Sequence, residues 1–170
     1  PRHPPSASSA ASDVYKRQQE IMRTLIREDL EAARDRLASL TAPQRLAWAV
    51  EHFGDGFALT TSFGIQSSVL LHMLSRLPTG HSVPVIWVDT GYLPPETYQY
   101  SEQLIDLFDV RLVVAQSSIS PARMEALHGR LWETEDVVDL ETYHRIRKVE
   151  PLEQACLLYT SPSPRDGTSS

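Results

Sequence analysis

Apolar residues between positions 21 and 40 fall at Ile21, Leu25, Ile26, Leu30, Ala33 and Leu37, set among many charges. Steps of three and four predict an amphipathic helix there. Thr41-Ala-Pro-Gln44 follows, an N-cap candidate with a proline in the first turn, and predicts a helix to about Phe53. Gly54-Asp-Gly56 ends it. The pattern then changes: Phe57–Thr61 is a short β-prone run, and residues 67–77 read as an apolar helix. Val83–Val88 is almost continuously apolar, as in a strand covered on both faces. Pro94-Pro-Glu-Thr97 opens a helix to about Phe108, Val110–Ala115 reads as a third strand, and Ser120-Pro121 caps a further helix. Strand and helix alternate three times. That order predicts an α/β fold, a Rossmann-like parallel sheet with right-handed crossovers and helices on both faces. Ligands of such sheets sit at the carboxyl ends of the strands. Two polar, glycine-containing segments fall there, residues 60–68 and 89–92, and no internal repeat is visible.

Composition narrows the classes. A chain of 170 residues with 41% hydrophobic and 22% charged residues reads as one soluble globular domain. No apolar run approaches the roughly 20 residues needed to span a bilayer, and no hydrophobic stretch follows Arg2 to make a secretory signal. A cytoplasmic location is the expectation. The net charge of −6 argues against a nucleic-acid-coating surface and leaves room for a local basic pocket.

The two ends differ from the middle. Asp13-Val-Tyr-Lys-Arg-Gln18 resembles the translation of a transposase-based sequencing adapter, and Cys156-Leu-Leu-Tyr-Thr-Ser161 resembles the opposite strand of the same element. The expected division is therefore 1–18 adapter-derived and disordered, 19–155 natural domain, and 156–170 adapter-derived and disordered, with the gene continuing past Ala155. Without Arg2, Lys16, Arg17 and Arg165, and without Asp13 and Asp166, the 16 basic and 22 acidic residues become 12 and 20, a net −8. The single cysteine, Cys156, lies outside the expected domain.

Three segments can carry chemistry. Thr60-Thr-Ser-Phe-Gly-Ile-Gln-Ser-Ser68 joins a strand to a helix with hydroxyls, a glycine and unpaired helix N–H groups, which together suit an anion. Its candidate contacts are Ser62, Phe63, Gly64, Gln66 and Ser67; the alternative is an N-cap cluster with a tight turn. It lacks the lysine of a Walker loop. Asp89, Thr90, Gly91 and Tyr92 end the second strand, either as a turn held by the Asp89 carboxylate or as recognition of a ribose or base. Arg145, Arg147 and Lys148 form the one dense basic cluster, either a solvated helix face or cations for a polyanionic small molecule. His72, His128 and His144 show no metal-ligand spacing and read as structural or surface residues.

In order and spacing, Thr60–Ser68, Trp87-Val-Asp-Thr-Gly-Tyr-Leu-Pro-Pro-Glu-Thr-Tyr98 and Arg145-Ile-Arg-Lys-Val-Glu-Pro-Leu152 resemble the PAPS/APS reductases. Residues 120–133 resemble the branch that reduces phosphoadenylyl sulfate (PAPS). The resemblance implies an adenine nucleotide alpha hydrolase, or PP-loop, fold that is incomplete at the C-terminus. It also implies thioredoxin- or glutaredoxin-dependent reduction of PAPS to sulfite and adenosine 3′,5′-bisphosphate. The residues above would then contact substrate, and a homodimer is compatible. The related ATP pyrophosphatases carry an Asp where this chain has Gln66, and a neutral amide does not replace a carboxylate on Mg²⁺. The APS-reducing branch ligates an iron–sulfur cluster through a cysteine pair where Tyr143 and His144 stand here, so no cluster or other cofactor is expected. The family's nucleophilic cysteine lies in a C-terminal Glu-Cys-Gly-x-His motif absent from this sequence, which implies an inactive fragment. The other readings are an APS reductase, an ATP-pyrophosphatase-type enzyme, and a non-catalytic nucleotide-binding module.

Overall fold

The computed structural model describes Lys16 and residues 30–159. The expectations for the first part of the 21–40 helix, and for nearly all of 1–18 and of 160–170, lie outside the described residues. Helix α1 spans Leu30–Ser39 and α2 spans Ala42–Phe53, where the Thr41 backbone N–H donates to the Gln44 side-chain oxygen at 2.9 Å. A 3₁₀ turn at Gly54–Gly56 leads into strand β1, Leu59–Thr61. Helix α3, Ser67–Ser75, returns to β2, Val85–Asp89. Helix α4, Pro95–Phe108, returns to β3, Leu112–Gln116. Helix α5, Pro121–His128, begins where the Arg123 N–H donates to the Ser120 hydroxyl at 3.3 Å.

The three strands are parallel, in the order β1-β2-β3. Strand β2 shows why the sheet is buried on both faces. Val85 and Trp87 point into a core with Leu46 and Val50 of α2, Leu71 and Leu74 of α3 and Leu104 of α4. Ile86, one residue out of phase, packs on the opposite face with Val113, Ala115 and Ala155. Each such large apolar side chain contributes roughly 1.5–3 kcal/mol when fully removed from water. Helices therefore cover both faces, as expected, with α2, α3 and α4 on one and α7 on the other.

Beyond α5, where the residue pattern assigned no element, the chain forms one long helical run. It comprises α6 (Val137–His144), a π-helical turn (Arg145–Val149) and α7 (Glu150–Tyr159). Asp136 caps it, accepting the Val138 N–H at 2.9 Å. The run corrects one expectation. Disorder was expected from Cys156, yet α7 continues through Tyr159, because Cys156-Leu-Leu-Tyr159 is apolar and helix-compatible and Cys156 packs beside Ala155 on the second face of the sheet.

Candidate functional site

The carboxyl ends of the strands lie along one edge, with Thr61 opposite Trp87 and Asp89 opposite Gln116. The loop after β1 turns sharply. Phe63 adopts a left-handed backbone (φ 51°) and is buried, its ring edge-on to Trp87 with centroids 5.0 Å apart. A positive φ on an aromatic residue is strained and persists only where surrounding contacts hold it. Here the Phe63 N–H donates to the Thr61 hydroxyl at 3.1 Å, and that hydroxyl donates to Ser67 at 3.0 Å. Ser62, Gly64 and Gln66 are left exposed on the rim and Ser67 is half-buried at the first position of α3. The first-turn amides of a helix have no intrahelical partner, an arrangement that suits anions in general, and the Ser67 N–H is here taken up by the Gly64 carbonyl at 2.9 Å.

The loop after β2 is built around Asp89, which is 8% exposed. One carboxylate oxygen accepts the Gly91 N–H (2.8 Å) and the Tyr98 hydroxyl (2.7 Å), and the other accepts the Gln116 amide (2.7 Å). Burial pushes the carboxyl pKa up, but the hydrogen bonds from Tyr98, Gly91 and Gln116 and the charge of Arg147 outweigh it and hold the value below the ordinary one. Of the two readings the sequence left open, this geometry is the turn held by Asp89. Gly91 needs its conformation: φ is +76°, and a Cβ would stand 2.7 Å from the Pro121 ring. Thr90 is buried and its hydroxyl accepts the Tyr92 N–H at 3.3 Å.

Tyr92 joins this loop to the long helical run. Its hydroxyl donates to Glu125 at 2.9 Å, and its ring lies 4.2 Å from Trp132 and 6.2 Å from Tyr143 by centroid. Burial, then the hydrogen bond to Glu125 and its negative charge, raise the Tyr92 pKa. The Arg147 guanidinium sits over the same ring at 5.3 Å and donates to the Ile119 carbonyl at 2.8 Å. Arg147 is 2% exposed, and its Nε and Nη2 have no hydrogen-bond partner.

The predicted basic cluster therefore divides. Arg147 points inward to the Asp89–Tyr92 loop. Arg145 is exposed and paired with Glu150 at 2.7 Å, and Lys148 is exposed. Among the described residues no hydrogen bond, ion pair or ring contact joins the 62–68 turn to Arg145, Arg147 or Lys148. The turn reaches Asp89 through rings instead, Phe63 to Trp87 and Trp87 to Tyr98. Tyr98, Gln116, Glu125 and Trp132 were not among the residues singled out from the sequence. Tyr98 three positions into a Pro-opened helix was the one visible signal, since that spacing returns a side chain to the strand end. Among the described residues, no His/Cys/Asp/Glu group is placed to hold a metal, and no helix is long and apolar enough to cross a membrane.

A parallel α/β sheet with a tight, hydroxyl-bearing turn and a buried, under-bonded arginine near its carboxyl edge places the chain among the α/β folds whose ligands bind at that edge. Comparison narrows the class. The profile described as "Phosphoadenosine phosphosulfate reductase domain" matches residues 56–161, and the chain belongs to that family. It is similar to the phosphoadenosine 5′-phosphosulfate reductase of Synechocystis sp. (strain ATCC 27184 / PCC 6803 / Kazusa), 48% identical over 132 residues, covering 78% of this chain and 52% of that protein. The reductase of the same name from Synechococcus sp. (strain ATCC 27144 / PCC 6301 / SAUG 1402/1) is 52% identical over 119 residues, covering 70% and 50%. Among solved structures, the phosphoadenylyl-sulfate reductase from Candida auris in its phosphate complex superposes with a TM-score of 0.64 at 28% identity, covering 75% of this chain and 61% of that one. The chain spans about half the length of the curated relatives it matches.

Proposed function

We propose that this chain is the nucleotide-holding part of a PAPS reductase, an enzyme that converts PAPS to sulfite and adenosine 3′,5′-bisphosphate. The observation that carries the reading is Arg147. A guanidinium removed from water with two nitrogen groups unsatisfied is costly unless an anion completes it. Among the described residues Asp89 makes no hydrogen bond or ion pair to Arg147; its carboxylate instead accepts from Gly91, Tyr98 and Gln116. A phosphate or sulfate group of the substrate meets the requirement with charge-assisted bonds. The naming of two curated relatives as phosphoadenosine 5′-phosphosulfate reductases, and the phosphate complex of the Candida auris enzyme, support this choice of ligand.

In the whole protein, a cysteine thiolate outside this sequence attacks the sulfuryl sulfur. The S–O bond to the nucleotide's phosphate breaks, adenosine 3′,5′-bisphosphate leaves with the electron pair, and an enzyme S-sulfonate remains. A dithiol partner, thioredoxin or glutaredoxin, then releases sulfite and becomes a disulfide. The residues present here bind and orient: the 62–68 turn offers amides and hydroxyls, and Arg147 balances charge gathering on the leaving phosphate. No iron–sulfur cluster enters this scheme, because Tyr143 and His144 carry no thiolate. The adapter origin of the two ends belongs to the same proposal. Mixing the chain with PAPS and reduced thioredoxin tests it: sulfite should not form, although PAPS binds. Turnover would show that the nucleophile is not missing, and failure to bind PAPS would remove the reading.

A further inference from the structure

The helical run from Val137 to Tyr159 widens over Arg145–Val149, where the Glu150 N–H donates to the Arg145 carbonyl, five residues back. Such π turns have identifiable causes. Two residues past this one stands Pro151, buried inside the continuing helix. Proline has no N–H for the carbonyl four residues back, which is that of Arg147, and its ring crowds the same oxygen. A regular α-turn absorbs both effects only by kinking or breaking, whereas a wider turn relieves them.

The widening has a consequence for the site. Ile146 and Arg147 are consecutive, yet they are 5% and 2% exposed. Ile146 packs with Met124 and Leu131, while Arg147 reaches the Ile119 carbonyl and the Tyr92 ring. Downstream, Ala155 fixes the rotation of α7 against Ile86, Val113 and Ala115. With α7 held there, a regular helix through 145–149 would rotate Ile146 and Arg147 about the axis and away from these contacts. We infer that Pro151 is a positioning residue: through the π turn it enforces, it aims the Arg147 guanidinium at the strand ends where the nucleotide's anionic group is bound.

This inference rests on the proposed function for its ligand but has a readout that does not. In the full chain, the Nε–Hε resonance of Arg147, assigned through Arg147→Lys, should show the ring-current shift of Tyr92 and slow exchange with solvent. Pro151→Ala and Pro151→Ser both restore the N–H. In each, with helical content retained by circular dichroism, the shift should collapse and exchange should accelerate. Affinity for adenosine 3′,5′-bisphosphate should fall about tenfold or more, the worth of a lost charge-assisted hydrogen bond. An unchanged Arg147 resonance in a folded variant would overturn the inference whatever the wild type binds. A wild type that fails to bind the probe, with the resonance behaving as expected, would overturn the functional reading and leave the positioning role standing. Loss of folding in both variants would also overturn it, since a residue that only aims Arg147 is not required for the fold.

Discussion

The Arg147 guanidinium carbon lies 5.3 Å from the centre of the Tyr92 ring, joining the long C-terminal helical run to the loop after β2. This contact and the single bond to Ile119 are modest compensation for burying a full charge with two nitrogens unbonded. An anionic ligand at Arg147, as proposed, would offset that cost.

Arg147→Met should therefore separate stability from binding. The variant removes a buried charge and keeps an apolar stem of similar length, so its unfolding free energy should be equal to the wild type's or higher by about 1–4 kcal/mol. Urea denaturation measures this. A loss of several kcal/mol would mark Arg147 as a structural residue.

Acid should weaken the protein through Asp89. Its folded pKa lies below the unfolded value, so its contribution is present above the unfolded pKa of about 3.9 and is lost as the pH falls through the folded one. Stability followed by denaturation from pH 6 downward should drop below about pH 4. Asp89→Asn should flatten that drop, because the Gln116 amide can turn end for end and accept from the new NH₂ group. Asp89→Ala strands the Gly91, Tyr98 and Gln116 donors and should cost about 1–3 kcal/mol at neutral pH.

Gly91→Ala tests the loop geometry. The added Cβ meets the Pro121 ring at 2.7 Å on a backbone already at φ +76°. The strain should cost roughly 1–3 kcal/mol in thermal or urea unfolding. It should also displace Tyr92, visible as increased exposure of the neighbouring Trp132 in its fluorescence.

Met124→Ala tests the packing beneath the site. Met124 is fully buried with Leu131 and Ile146, and its truncation should cost about 2–5 kcal/mol in urea unfolding. A cost below about 1 kcal/mol would mean that this cluster repacks freely and does not seat the helix bearing Arg147.

Much of this was legible in the residues. The continuous apolar run ending in Asp89, the Pro94-Pro95 helix start and the Ser120-Pro121 cap each have a local cause, and local causes are readable from sequence. The strand ends fell within a residue or two for the same reason. What the sequence did not disclose is long-range. That Arg147 turns inward while Arg145 pairs with Glu150 and Lys148 stays exposed depends on a helix whose phase is reset between Tyr143 and Ala155. Arg145-Ile-Arg-Lys148 alone looks like three equivalent cations. The Asp89–Gln116 bond depends on the β2–β3 register, which no single segment encodes. Cys156–Tyr159 resembles an adapter translation, yet its apolar pattern continues the helix.

The most direct test is calorimetric titration of PAPS into the full chain and into Arg147→Met under identical salt conditions. The wild type should bind saturably, and the variant with an affinity at least about tenfold weaker. Equal affinity for both proteins, or no heat of binding to a folded wild type at millimolar PAPS, would contradict it.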